Sequence, residues 1–185
     1  MNASGKESDA LKVAVSGTDA LLKVSGRGSF KMGPALREFA SAAMERHACT
    51  RFVFDLADCC GMDSTFMGVV AGLALRLRRE KSGTVAMVRM SPKTVSLVQT
   101  LGLDRLIQLV PVDAEESTAT PGVRADAGAM STLDTHAASR LTSVQTMLAA
   151  HRDLAALSTE NEERFRDVID YLSQDARDLE SGGQP

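Results

Sequence analysis

The sequence predicts an α/β fold, in which a mixed sheet of about five strands packs with helices, and a helical extension follows it. Short apolar segments alternate with helically spaced segments up to about residue 112, which is the pattern of strand–helix–strand units with parallel pairing. After residue 131 the apolar spacing is helical throughout, and the first Gly or Pro is Gly182. A chain of 185 residues with 44% hydrophobic residues can bury one core of ordinary size.

Five segments have the pattern of strands. Residues 11–16 and 21–24 alternate around a turn that begins at Gly17, which predicts a hairpin. Residues 51–56 and 84–90 are nearly continuous apolar runs, typical of central strands that are buried on both faces. Residues 106–110 are the last predicted strand.

Three segments between these strands have helical patterns. Gly33-Pro34 opens the first helix, where the missing N–H of proline has no cost, and apolar residues recur at helical spacing up to residue 47. The second helix runs from about residue 63 to 81, with Asp63 or Ser64 as its N-cap. The third begins at Ser91-Pro92 and ends near residue 100.

Charge and composition divide the chain into three parts: residues 1–112, 113–131 and 132–181. Residues 1–130 have 16 Lys and Arg against 14 Asp and Glu, whereas residues 131–185 have 5 Arg against 10 Asp and Glu. Residues 113–131 are rich in small, polar and acidic residues and contain Pro121 and Gly122. They are predicted to be a flexible linker.

The third part has a heptad-like apolar seam from residue 137 to 179, with a capping-box-like start at Ser131. Ser158 and Glu162 weaken this seam in the middle. Two structures fit the pattern. One is a single long helix that pairs with a second copy as a coiled coil and forms a homodimer; the other is a helical hairpin that breaks near Ser158-Thr159.

Composition argues against several function classes. A net charge of −3, no Trp and one Tyr argue against nucleic-acid binding, and no apolar run is long enough to span a membrane. An N-terminus without an apolar run and the three cysteines, Cys49, Cys59 and Cys60, indicate a cytoplasmic protein without disulfides. No metal site, cofactor or catalytic nucleophile–base set is recognisable, so the chain is not predicted to be an enzyme.

Residues 52–79 contain the most informative candidate site. Ser64 follows a buried strand and a loop and lies at the start of a helix, where backbone N–H groups and the helix dipole favour negative charge. Ser64 therefore either caps the helix or is a regulatory phosphorylation site, with Thr65 as the alternative acceptor. A phosphate beside Asp63 would repel an acidic partner surface.

Several short motifs resemble the STAS domain of bacterial anti-sigma-factor antagonists. Asp55-Leu56 and Asp63-Ser64-Thr65 are similar to the signature of that family. Residues 100–106 (TLGLDRL) are similar to its turn before the last strand, and residues 24–27 (VSGR) occupy the place of its early turn. The likeness covers about residues 10–112, and it implies a STAS-like sheet there.

The resemblance also implies a function. Ser64 is then the residue that a serine kinase phosphorylates, and this kinase doubles as the anti-sigma factor. A PP2C-type phosphatase reverses the modification, and the unphosphorylated protein binds the kinase and frees the sigma factor. Phe66 stands where the family usually has glycine. The implied partner-binding residues are Asp63, Thr65, Phe66, Met67, Gly26, Arg27 and Ser29.

A second hypothesis is a STAS scaffold that does not switch. Its assembly would be driven by self-association of the C-terminal helix, and the heptad-like seam motivates it.

Overall fold

The computed structural model describes residues 9–111 and 130–182. Within these ranges the chain forms seven strands and five α-helices. The strands are β1 (Ala10–Ser16), β2 (Asp19–Gly28), β3 (Arg51–Asp55), β4 (Cys59–Met62), β5 (Thr84–Met90), β6 (Gln108–Pro111) and β7 (Ser131–Thr132). The helices are α1 (Gly33–His47), α2 (Ser64–Arg79), α3 (Pro92–Thr100), α4 (Arg140–Ala155) and α5 (Thr159–Ser181).

The strands form one mixed sheet in the order β6-β5-β3-β2-β1-β7, and β4 pairs with β2 beyond the end of β3. Strands β2, β3, β5 and β6 are parallel, whereas β1 is antiparallel to β2 and to β7. The predicted mixed sheet with strand–helix–strand units is confirmed. The sequence analysis did not predict β4 and β7, which are too short to show a hydrophobic period.

The core lies between the sheet and its helices. Phe54 in the central strand β3 lies beside Leu22 of β2 and Met87 of β5, and all three side chains are fully buried. The ring of Phe66 from α2 meets Phe54 edge-on, with the ring centroids 6.4 Å apart. Aromatic packing of this kind adds to the stabilisation from burial, so it fixes the first turn of α2 on the sheet.

The C-terminal region begins differently from the prediction, with a short strand before its first helix. Ser131–Thr132 pair with β1 as β7, so the linker does not extend to residue 131 and no helix begins at residue 132. Helix α4 begins at Arg140, where the Ser139 side chain accepts the N–H of Thr142 at 3.1 Å. Of the predicted linker, residues 113–129 lie outside the described residues.

Helices α4 and α5 form a hairpin, so the single long helix is wrong. The chain turns at residues 156–158, and Ser158 caps α5 by accepting the N–H of Asn161 at 3.2 Å. The break therefore occurs where the sequence analysis placed it, although Ser158 rather than Thr159 is the cap. Serine at this position satisfies an N–H that the new helix leaves unpaired.

The hairpin adds a further layer to the domain. Helix α4 packs on α2 and also touches α1, while α5 packs along α4. Val144, Leu148, Leu172 and Ala176 form an apolar cluster within the hairpin. Among the helices described, none is long and apolar enough to cross a membrane.

Candidate functional site

The predicted site lies at the junction of β4 and α2. Asp63 is the N-cap of α2, and its Oδ1 accepts the backbone N–H of Phe66 at 2.9 Å. Ser64 is the first helical residue, at the positive end of the helix dipole. Asp63, not Ser64, caps the helix, so the Ser64 hydroxyl is not needed for capping.

Asp63 also connects α2 to the early turn of the domain. Its backbone N–H donates to the carbonyl oxygen of Gly28 at 2.9 Å, and its Oδ2 accepts the N–H of Phe30 at 2.7 Å. These contacts form because β4 runs parallel to the last residues of β2. The two segments that were predicted to bind a partner are therefore adjacent.

The early turn presents three of the predicted partner-binding residues. Gly26 has a φ of 71°, and a Cβ there would lie 2.4 Å from Oδ1 of Asp9. Only glycine adopts this conformation readily. The N–H of Arg27 donates to the same oxygen of Asp9 at 2.9 Å. The Arg27 side chain is exposed, and Gly26 and Ser29 are partly exposed.

The predicted partner-binding residues within α2 are buried. Thr65, Phe66 and Met67 are each at most 5% exposed. Phe66 packs so closely against Gly28 that a Cβ on that glycine would lie 3.0 Å from its ring. Phe66 is a core residue, so its predicted contact with a partner does not agree with its burial. Ser64 is partly exposed and is the more accessible of the two candidate hydroxyls.

The Ser64 hydroxyl contacts His151 of α4. The Ser64 Oγ and the His151 Nε2 are 3.0 Å apart, and the His151 Nδ1 is 2.8 Å from the carbonyl oxygen of Met147. A carbonyl oxygen only accepts, so Nδ1 carries a proton. Ser64 therefore shares a hydrogen bond with a histidine that is only 5% exposed.

The Asp55-Leu56 motif supports the loop before the site. Asp55 is buried and forms a bidentate ion pair with Arg89, in which Nε is 2.9 Å from Oδ1 and Nη2 contacts Oδ2. Its Oδ1 also accepts the N–H of Ala57 at 3.1 Å. A carboxylate paired in this way holds the turn between β3 and β4, and β4 in turn positions Asp63.

The two adjacent cysteines differ in exposure. Cys60 is exposed, whereas Cys59 is buried. Burial raises the pKa of the Cys59 thiol above its ordinary value, which disfavours the reactive thiolate. Cys59 therefore has the properties of an unreactive thiol.

The turn that resembles the family's Gly-Leu-Asp segment also contacts the hairpin. Gly102 has a φ of 71° before the short 3₁₀ turn at Leu103–Arg105. Asn161 at the start of α5 donates through Nδ2 to the carbonyl oxygens of Leu101 and Leu154, each at 3.0 Å. The hairpin therefore touches two of the family-like segments, at Ser64 and at Leu101.

Sequence reasoning missed the roles of His151 and Asn161. No base was predicted for Ser64. Both residues are far from their partners along the chain, by 87 and 60 positions. The only sequence signal was that each is a polar residue on a helix with apolar spacing.

Comparisons with known proteins match the first part of the chain. The family model described as "Mlab, STAS domain" matches residues 11–111. No curated protein matches. Solved structures similar to this one include the anti-sigma factor antagonist SpoIIAA in its unphosphorylated form, at 20% identity and a TM-score of 0.47. That match covers 58% of this chain and 94% of SpoIIAA.

Two further solved structures are similar. The Bacillus cell fate determinant SpoIIAA in its phosphorylated form has 19% identity and a TM-score of 0.46, over 58% of this chain and 96% of that one. A putative anti-sigma factor antagonist from Thermotoga maritima has 14% identity and a TM-score of 0.49, over 57% of this chain and 90% of that one. The family model covers more than half of the 185 residues, and the chain belongs to the STAS domain family.

Proposed function

We propose that this protein is a phosphorylation-controlled binding protein of the anti-sigma-factor antagonist type, with Ser64 as its phosphoacceptor. The observation that carries the proposal is the division of roles between two neighbouring residues. Asp63 caps α2 through Oδ1, while its Oδ2 accepts the N–H of Phe30, so the Ser64 hydroxyl has no capping role. A cap that needed the Ser64 oxygen would be lost on modification.

The position of Ser64 also suits a phosphate. The first turn of a helix has backbone N–H groups that no residue within the helix accepts, and it is the positive end of the helix dipole. Because α2 begins at Ser64, a phosphate on Oγ would lie next to this end. The phosphate would also place almost two negative charges beside Asp63 and near the exposed early turn at Arg27.

In the proposed cycle, the unmodified protein binds a serine kinase that acts as an anti-sigma factor, and this binding releases the sigma factor. The kinase transfers phosphate to Ser64 and the complex dissociates, because the added charge and volume disrupt a close-packed contact. A PP2C-type phosphatase restores the binding form. The chain itself is proposed to act by binding and not by catalysis.

The scaffold alternative was motivated by the heptad-like seam, and residues of this seam pack against each other within the hairpin. The seam residues Val144, Leu148, Leu172 and Ala176 contact each other within one chain. The hairpin therefore satisfies its own apolar surface, and self-association through a long helix is not needed to bury it.

The test uses candidate kinases of the anti-sigma type from the same cells, with ATP and the full-length chain. Peptide mass mapping is expected to find one phosphate on Ser64, absent in Ser64→Ala and retained in Thr65→Val. In a binding titration, Ser64→Ala should retain affinity for the kinase, whereas Ser64→Asp should lose at least tenfold. No phosphate at either hydroxyl, together with equal binding of Ser64→Ala and Ser64→Asp, would refute the proposal.

A further inference from the structure

We infer that the α4–α5 hairpin is a reversible cover over Ser64, which competes with any partner for the same face of α2. This inference concerns the regulation of the site and rests on the proposed function for its biological role. The STAS family match ends at residue 111, so the hairpin lies outside it. Four features of the interface support the inference.

The first feature is the contact with Ser64 itself. The Ser64 Oγ and the His151 Nε2 are 3.0 Å apart, so α4 lies against the atom that would be modified. Phosphoryl transfer requires the oxygen of the acceptor to approach the transferred phosphorus in line. The imidazole lies at hydrogen-bond distance from this oxygen, so a kinase and its nucleotide compete with α4 for the space beside Ser64.

The second feature is a pair of glycines that lets α4 approach the backbone of α2. A Cβ at Gly68 would lie 2.3 Å from the carbonyl oxygen of Ala150, and one at Gly72 would lie 2.3 Å from Oδ2 of Asp153. In each case the three nearest atoms belong to that single α4 residue. Glycine is a poor helix former, so its presence at two positions one turn apart is explained by the hairpin.

The third feature is the chemistry of the interface. From the hairpin, Ala150, Leu154 and Phe165 are buried in the main core, and Leu157, Val168 and Ile169 pack against it while remaining partly exposed. Polar contacts join the hairpin to the domain at two further points, from His151 to Ser64 and from Asn161 to Leu101. Interfaces of this mixed character are typical of elements that move relative to each other.

The fourth feature is a carboxylate buried at an unfavourable position. Asp153 on α4 lies near Arg37 and Arg79, yet its burial outweighs these cations and raises the pKa of the carboxyl. A carboxylate that loses solvation on docking weakens the docked state. The hairpin also has an apolar cluster of its own, so it can separate from α2 as a folded unit.

A reversible disulfide provides a direct test on the full chain. An ideal Cβ on Gly72 would lie 3.9 Å from Cβ of Asp153, which is within the range for a disulfide. The variant Gly72→Cys/Asp153→Cys, with exposed Cys60 replaced by Ser, should lock the hairpin when oxidised and release it when reduced. The matched opening variant is Gly68→Ala, and its control is Gly61→Ala, where a Cβ meets nothing within 4 Å.

The first readout needs no partner. Diethyl pyrocarbonate acylates accessible imidazoles, and His47 and His136 are exposed internal standards. His151 should be at least tenfold more reactive in Gly68→Ala than in Gly61→Ala, and unreactive in the oxidised double cysteine. Asn161→Ala should also expose His151, and it does not alter α2. Equal reactivity of His151 in the locked, reduced and Gly68→Ala forms would overturn the inference.

The second readout separates the inference from the proposed function. With a kinase that modifies the wild type, the oxidised lock should lower the rate of Ser64 phosphorylation at least tenfold, reductant should restore it, and Gly68→Ala should raise it. Equal rates in locked and reduced forms would overturn the cover. If no form is phosphorylated while His151 reactivity still follows the lock, the proposed function fails and the reversible cover stands.

Discussion

The STAS domain and the C-terminal hairpin are held by different kinds of contact. The three fully buried phenylalanines, Phe52, Phe54 and Phe66, lie in the STAS domain, whereas Phe165 of the hairpin is 7% exposed. The hairpin attaches through close approaches at Gly68 and Gly72, through Ala150, Leu154 and Phe165 in the shared core, and through the polar side chains of His151 and Asn161. Apolar burial gives a strong, non-directional stabilisation, whereas polar contacts give specificity with a small net gain. We therefore expect the STAS domain to stay folded under conditions in which the hairpin separates from α2.

The largest expected effect comes from truncating an aromatic side chain in each region. Phe54→Ala should destabilise the whole chain by about 3–5 kcal/mol, because it leaves a cavity in the central strand. Phe165 packs its ring on His151, with the centroids 5.3 Å apart, and is buried where the hairpin meets the main core. Phe165→Ala should therefore release the hairpin while the sheet remains folded.

Urea denaturation followed by two signals checks this difference. Circular dichroism reports the whole chain, and the fluorescence anisotropy of Tyr171, the single tyrosine, reports α5. The two transitions should separate in Phe165→Ala and should coincide in Phe54→Ala. Coincident transitions in both variants would show one cooperative unit and would contradict the contrast drawn between the regions.

The same contrast explains what the sequence could predict. The periods of strands and helices, the caps at Asp63 and Ser91 and the break near Ser158 are local signals, and each agrees with the structure. Strands β4 and β7 are too short for a period. The contact between Ser64 and His151 joins residues that are distant in sequence, and one chain gives no local signal for such a pair.

A second prediction tests the polar attachment at the α5 end. Asn161→Asp keeps the shape of a side chain that is 2% exposed but removes the N–H donors to the Leu101 and Leu154 carbonyl oxygens. Loss of a buried hydrogen-bond partner costs about 1–3 kcal/mol. Hydrogen exchange measured by mass spectrometry should show faster exchange in α4 and α5 and unchanged exchange in β3. Unchanged α4 and α5 would mean that Asn161 does not anchor the hairpin.

A third prediction measures the Ser64–His151 contact alone. A double-mutant cycle of Ser64→Ala and His151→Gln, read from the urea transition of the hairpin, should give a coupling of about 0.5–1.5 kcal/mol, the ordinary range for one net hydrogen bond. The control cycle combines Thr142→Ala with His151→Gln, and its coupling should be near zero, because the Thr142 hydroxyl pairs with that of Ser139. Coupling of equal size in both cycles would mean that the hydrogen bond between Ser64 and His151 does not stabilise the docked hairpin.

The smallest predicted effect is a dependence of stability on pH. It isolates the contribution of Asp153, the buried carboxyl group of the interface. Burial raises the pKa of Asp153 in the folded chain above the ordinary value of 3.8, against the opposing charges of Arg37 and Arg79. The folded state therefore binds the proton more tightly than the unfolded state. The contribution of Asp153 to stability is fully present below pH 3.8 and is lost as the pH rises through the raised value.

Asp153→Asn removes this titration and leaves the other ionisable groups in place. The stability of the wild type minus that of the variant, from urea midpoints at matched pH, should fall as the pH rises from 3.8 toward neutrality. At neutral pH the variant should hold its hairpin more tightly, because an amide loses less solvation than a carboxylate. A difference that rises with pH would mean that the arginines dominate at this position. The docked hairpin would then be favoured by charge pairing, and its release would depend on Ser64 and Asn161 alone.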